Sequence, residues 1–454
     1  MNELNREKLG TEPVDKLLFT MSVPSVIAMF MQAMYNVVDS MFVAHVSKES
    51  FAAVTLAFPI QMIIGALSTG AGVGINSCIA RSLGAKDLNT ASKAAANGIL
   101  IGFITVGILI LFGIFGSEAY LRIYTDDLKV ITEGTVYVRT ISILAFGTVF
   151  TQIGFSIMQG SGNMVIPMAA QLAGGACVLI FDPILIFGCK LGVLGAAIAS
   201  SCAQVISMGI CTYGVFFRNS KNLPVPVNSF KPDIPVLGNI LSVGIPSALT
   251  QATTSVVSGV LSKMVAGYGI AAVTVYGGFN KFSSFAILPV FGITRGMQPI
   301  LGYSVGARDK ERFIQTRNLA IAASSVITVI SSLVFIFGNT FILNLLKATP
   351  DMLDIGKKAY TILGTSLSLT GAAIVLIQIF PPAKKSYLTM IATIMRQAVY
   401  MVPLCILFSR FLGITGIWLG YVSADLLNFI FVLCMNIWFN KNVLNKWKGA
   451  SNEI

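Results

Sequence analysis

Seventeen consecutive residues without a charge, Ile99–Phe115, have a counterpart of the same length at Ile321–Phe337. Such runs leave few folds open. In hydrocarbon every backbone N–H and C=O must be satisfied within the segment, and about 20 mostly apolar residues in a helix cross a core roughly 30 Å thick. The whole chain agrees: it is 55% hydrophobic and 11% charged, with a mean hydropathy of +0.80, where soluble domains carry about 25% charged residues. The sequence therefore reads as an all-α integral membrane protein. Twelve transmembrane helices are predicted, at 17–46, 51–81, 91–117, 131–158, 163–188, 192–218, 235–267, 272–304, 311–338, 352–380, 384–410 and 413–440. Several exceed the bilayer and must tilt, bend or protrude.

An even number of spans puts both termini on one side. The net charge of +12 is explained by the excess of Lys and Arg that cytoplasmic loops carry, and no nucleic-acid partner is implied. The excess falls on the termini and the loops after even-numbered helices, so both termini are expected in the cytoplasm. The N-terminus, MNELNREKLGTEPVDK, is polar, and the first apolar segment is too long for a signal h-region. The seven cysteines form no CxxC and read as small buried hydrophobes. His45 is the only histidine, which argues against a His-based metal site. There is no GxxxxGK[ST] loop to cradle ATP, and no HExxH or GxSxG. The chain is read as a non-enzyme without a cofactor.

The halves repeat each other. SLGAKD at Ser82–Asp87 and SVGARD at Ser304–Asp309 lie 222 positions apart, as do SVPS at Ser22–Ser25 and GIPS at Gly244–Ser247. LGVLG at Leu191 and LGITG at Leu412 are 221 apart. Two six-helix lobes, 1–218 and 235–454, are thus expected on either side of a cytoplasmic linker, 219–234, whose prolines and lack of periodicity mark it as irregular. Six is even, so the lobes share an orientation and are expected to be related by a pseudo-twofold axis along the membrane normal, as in many secondary transporters. In the repeated loop, Gly84 and Gly306 are expected to end their helices in left-handed C-caps, with Lys86 and Arg308 at the headgroups.

Charges within the hydrocarbon are costly and mark candidate function. The intramembrane acids are Asp39, Asp182 and Asp425; the bases are Arg139, Lys263, Lys281, Arg295 and Arg396. Asp39 and Asp182 both lie about 10 Å below the outer surface at 1.5 Å rise per residue, in the same lobe. Their partners at the 222 offset are Leu261 and Leu404. Two carboxyls at one depth can share a proton or hold a cation, since burial in low dielectric favours the neutral form of a carboxyl group. Pro183 frees a backbone carbonyl one turn before it. The alternatives are structural: either acid could bridge to Arg139, and Asp425 to Arg396. Lys263 lies near enough to its helix end to snorkel. Lys281 and Arg295, with Asn280 and Gln298 on the same helix, either line a cavity or satisfy helix contacts.

FDPILIFG at Phe181–Gly188, LGVLGAA at Leu191–Ala197, GMQPILGYSVGA at Gly296–Ala307 and ADLLNF at Ala424–Phe429 resemble the multidrug and toxic compound extrusion (MATE) family, in its bacterial branch related to the DNA-damage-inducible exporters. The resemblance runs along nearly the whole chain. It implies two six-helix lobes in the bacterial inner membrane, a functional monomer, and export of small organic compounds, usually cationic and amphipathic, in exchange for H+ or Na+. It implies a cation site at Asp39 and Asp182, with Gln32, Asn36, Tyr137 and Ser200 as its polar neighbours. Relatives often have an Asn one turn before the second acid, where this chain has Val178, and a second polar position on helix 4, where it has Phe155. Fewer oxygens favour H+ over Na+. Relatives also often carry a Glu on helix 8; here Lys281–Arg295 holds no acid, which leaves anionic or zwitterionic substrates open. The expectation is a secondary antiporter. A lipid-linked oligosaccharide flippase, which needs a cationic cavity for pyrophosphate, and a non-transporting receptor or membrane enzyme are the alternatives.

Overall fold

The structure, a computed structural model, describes residues 4–44, 48–124, 126–189, 191–219, 223–225, 231–346 and 348–447. Among them there is no strand. After a short helix, Leu4–Thr11, the chain forms α1 (Val14–Ala44), α2 (Lys48–Gly84), α3 (Leu88–Phe115), α4 (Leu128–Gly160), α5 (Val165–Pro183, continued by a π-helical turn Ile184–Gly188) and α6 (Gly192–Tyr213, with a second π-turn Gly214–Arg218). The second half follows as α7 (Ile234–Ala266), α8 (Ile270–Ala307), α9 (Lys310–Phe337), α10 (Pro350–Gln378), α11 (Ser386–Leu412, with a π-helical stretch Met395–Met401) and α12 (Ile414–Asn442). Eleven of these are long and apolar enough to span a bilayer; α8, at 38 residues, is long enough but less apolar.

The repeat seen in sequence is a repeat of packing. In the first half α2 packs on α3 and α4, α3 on α4, α4 on α6, and α5 on α6. In the second half the same pairs recur six helices later: α8 with α9 and α10, α9 with α10, α10 with α12, and α11 with α12. Four turns repeat too. Asp87, Asn163, Asp309 and Lys385 each donate their backbone N–H to the carbonyl five residues earlier, on Ser82, Met158, Ser304 and Phe380, at 2.9 Å. The residue before each donor is left-handed: Lys86 (φ 59°), Gly162 (83°), Arg308 (56°) and Lys384 (60°). This closure is the Schellman motif. It corrects the expectation for Gly84 and Gly306: the six-residue ring puts the left-handed residue directly before the Asp, so the basic residues of SLGAKD and SVGARD take that strain. Each Asp then starts the next helix, Asp87 accepting from Thr90 N–H and Asp309 from Arg312 N–H, both at 2.9 Å.

The chain packs as two compact units. The first takes the N-terminal segment to Glu12 and Val23–Ala248; the second takes Pro13–Ser22 and Leu249–Ile454. The divisions therefore fall inside α1 and α7, one residue before Pro24 and two after Pro246, rather than at the 219–234 linker. Close backbone approach explains both memberships. In the first unit, a Cβ at Gly70 of α2 would stand 2.7 Å from the Gly244 carbonyl of α7. In the second, a Cβ at Gly296 of α8 would stand 2.8 Å from the Ser22 nitrogen of α1. Gly244 and Ser22 are again 222 apart. Small residues at such crossings let helices pack where lipid offers no hydrophobic drive. The start of α7 is also tied to α3 by a salt bridge from Lys93 Nζ to Asp233 Oδ2 at 3.0 Å. The second unit is centred on a buried aromatic group in which Phe279 meets Phe335 at 5.2 Å and Tyr276 stacks on Trp418 at 5.9 Å.

Candidate coupling site

Asp182 stands at the end of regular α5 and is fully buried, with 0% of its surface exposed. Pro183 follows and brings no N–H to the ladder. The chain answers with a wider turn: Cys189 N–H donates to the Ile184 carbonyl at 2.8 Å, an i→i−5 bond. π-turns of this kind are frequent at functional sites. At the corresponding position of α11 stands Leu404, just after Pro403 and the π-stretch Met395–Met401, so the helix irregularity has a counterpart there and the acid does not.

α1 reaches this region over a glycine. A Cβ on Gly175 would lie 2.6 Å from Met31 Cγ and 3.5 Å from Tyr35 Cδ1. Tyr35, like Cys202 of α6, packs against a cluster of Cys177 and Val178 of α5 and Ala203 of α6. Two turns on, Phe42 packs against Ile186 of the π-turn and Ala196 of α6. Position 39 follows Tyr35 by four residues and precedes Phe42 by three, so by helical register it belongs to the same face of α1. The Asp39 side chain itself lies outside the described residues. Gln32, seven residues earlier on that face, is half-buried; Asn36, at its edge, is exposed.

The other expected neighbours sort as follows. Tyr137 of α4 is buried and its hydroxyl accepts a hydrogen bond from Gln61 Nε2 of α2 at 2.7 Å. Gln61 was not singled out by sequence, because a lone Gln in an apolar helix has no pattern; its 222 partner, Ser283, gives no matching pair with Ala359. Ser200 is half-buried on α6. Val178 and Phe155 are buried among apolar residues. Arg139 is exposed, and no Asp182–Arg139 bridge forms. Among the described residues no group of three His, Cys, Asp or Glu could hold a metal ion. No disulfide joins the cysteines there; Cys189 and Cys434 are exposed rather than buried as expected.

In the second unit, Asp425 takes the structural alternative. Arg396 Nε, from the π-stretch of α11, donates to Asp425 Oδ1 of α12 at 2.7 Å, and the guanidinium lies 6.0 Å from the Tyr421 ring centroid. Lys263 and Lys281 are exposed; Asn280, Arg295 and Gln298 are half-buried, and Gln298 Nε2 donates to Gln378 Oε1 at 3.3 Å.

The twofold repeat is matched by a known family. The MatE family model matches this chain twice, at residues 24–184 and 246–407, with starts again 222 apart. The chain belongs to the MatE family. It is similar to the "Multidrug export protein MepA" of Staphylococcus aureus (strain MSSA476), 26% identical over 416 residues and 91% of each chain. It is similar to the protein of the same name from Staphylococcus haemolyticus (strain JCSC1435), 25% identical over 424 residues and 90% of each. A solved structure, the outward-facing conformation of a multidrug resistance MATE family transporter of the MOP superfamily, superposes with a TM-score of 0.91 at 26% identity, over 97% of this chain and 98% of that one. This MatE chain is accordingly a multi-pass membrane transporter.

Proposed function

We propose that this MatE chain is a secondary antiporter that exports small amphipathic organic compounds in exchange for H+ or Na+, with Asp182 and Asp39 as the coupling carboxyls. The observation that carries the reading is asymmetry: two units repeat pair by pair and each has a π-turn near a proline, yet among the described residues only the first places a fully buried acid there, Asp182, where the second has Leu404. An ionised carboxylate at membrane depth is unfavourable by a few kcal/mol. A proton or cation removes that cost, so the ion-loaded and empty forms differ in free energy. An ion that binds one arrangement better, and a substrate that binds the other, exchange through that difference. Gln61 and Tyr137 supply a fixed hydrogen-bonded pair in the same unit. Val178, one turn away, offers no oxygen, which favours H+ over Na+.

Export rather than lipid-linked oligosaccharide flipping is supported by the names of the relatives above. The proposal places the chain as a monomer in the bacterial inner membrane with both termini cytoplasmic, supported by the basic turns at Lys86, Arg308 and Lys384. The test is reconstitution of Asp182→Asn and Asp39→Asn in proteoliposomes. Each variant is expected to lose gradient-driven dye movement while keeping its helical circular dichroism and its equilibrium dye binding. Undiminished flux in either would remove that residue from the mechanism.

A further inference from the structure

Chain order requires α8 to cross between α7 and α9, yet it is the one of the twelve long helices without an apolar stretch of spanning quality among the described residues. Its polar residues are not scattered. Lys281, Ser284, Arg295 and Gln298 fall within an arc of about 100° at 3.6 residues per turn, and each is exposed or half-buried. The opposite face, with Val275 and Phe279, is buried in the second unit. Arg295 stands twelve residues before the end of α8 at Ala307, about 18 Å along the axis. With the Arg308 turn at the cytoplasmic headgroups, that is near the middle of a hydrocarbon core roughly 30 Å thick, beyond the reach of a snorkelling side chain.

Among the described residues neither Arg295 nor Lys281 makes an ion pair. α8 carries no acid, and the one intramembrane acid of this unit, Asp425, is already held by Arg396. A guanidinium at this depth facing lipid is strongly disfavoured; intramembrane charges face the bundle interior or a water-filled cavity and mark substrate or ion pathways. Its planar fork of donors matches the two oxygens of a carboxylate or phosphate.

We infer that this face of α8 binds the acidic group of an amphipathic organic substrate, with Arg295 as the recognising residue and Lys281, about 21 Å further along the helix, as a second stop towards the outer end. The substrates are then organic anions or zwitterions bearing a carboxylate or phosphate. The inference rests on the exporter reading and sets its substrate class.

The test separates the two, because binding needs no gradient. The full chain is placed in phosphatidylcholine nanodiscs, and fluorescence anisotropy is measured with carboxyfluorescein, an anion, and ethidium, a cation. Wild type is expected to bind carboxyfluorescein, with displacement by octanoate or octyl phosphate reporting which head group is preferred. Arg295→Gln is expected to weaken carboxyfluorescein binding about tenfold or more, the worth of one charge-assisted hydrogen bond, and to leave ethidium binding no weaker. Arg295→Lys keeps part of the affinity. Absence of carboxyfluorescein binding by wild type, or equal weakening for both dyes in Arg295→Gln, overturns the inference. Should Arg295→Gln not fold, Arg295→Lys and Lys281→Gln decide it, and unchanged carboxyfluorescein affinity in both overturns it. Intact anion binding with no gradient-driven flux in wild type would instead overturn the antiport reading.

Discussion

The Arg396–Asp425 bridge offers the sharpest separation of structural from functional charge. The nitrogen and oxygen stand 2.7 Å apart, with 7% of the Asp425 side chain and 27% of the Arg396 side chain exposed. Removing one partner of such a pair strands the other charge, at a cost of about 3–5 kcal/mol for full burial. The partial exposure of Arg396 points to the lower end, so Asp425→Leu is expected to cost about 3 kcal/mol. Replacing both partners by apolar groups removes the stranded charge as well. The double variant Arg396→Met/Asp425→Leu is therefore expected within about 1 kcal/mol of wild type, which makes the coupling energy in the cycle about 2 kcal/mol or more. Unfolding of the purified chain in mixed micelles gives the four stabilities, and proteoliposome flux gives four rates. The double variant should still transport. Single variants that are both benign would refute the energetic argument, and a folded double variant without flux would place Asp425 in the mechanism.

Other consequences follow from the packing and the turns. A Cβ at Gly420 would lie 2.7 Å from the Cys405 backbone nitrogen and Cα, so Gly420→Ala is expected to lose about 1–3 kcal/mol by overpacking, read from the same denaturation curves. Arg308→Gly relieves a left-handed residue (φ 56°) and should gain up to about 1 kcal/mol, whereas Arg308→Val should lose stability. Asp233, outside the membrane, is held below the ordinary carboxylate range by the hydrogen bond from Lys93, then by the Val236 N–H. A depressed folded value stabilises above the unfolded carboxylate value and is lost as pH falls through the folded one. Protection of the first turn of α7 from hydrogen exchange should therefore fall below the ordinary carboxylate range, and Lys93→Gln should already lack that protection at neutral pH. Gly175→Leu pushes α1 off α5 at Met31 and is expected to abolish coupled flux, with Met31→Ala restoring part of it.

Much of the architecture was legible because hydropathy and repetition are written directly in residue types. The 222 offset between SLGAKD and SVGARD foretold two equivalent turns, and Met158–Asn163 with Phe380–Lys385 form a second pair that shares no residue. There the backbone closure repeats after the side chains have diverged, so no motif could announce it. The same closure explains the misplaced glycines: composition suggests that Gly84 takes the left-handed position, but ring size decides for Lys86. The exchange of Pro13–Ser22 and the start of α7 between units was not legible, since it depends on contacts such as Gly70 with Gly244 rather than on any local signal. Asp182 could be picked out as a candidate by its depth and by the Leu404 at its repeat position. Gln61 could not, because its meaning comes only from Tyr137 on another helix.

The central claim is that the buried acid of the first unit couples substrate movement to an ion. The direct measurement is dye movement in proteoliposomes under an H+ gradient alone and a Na+ gradient alone, for wild type and Asp182→Asn side by side. The account predicts that one gradient, with H+ the favoured ion, drives wild-type transport against the dye gradient and that Asp182→Asn only equilibrates the dye. Equal uphill transport by Asp182→Asn, or wild-type transport indifferent to both gradients, would contradict it.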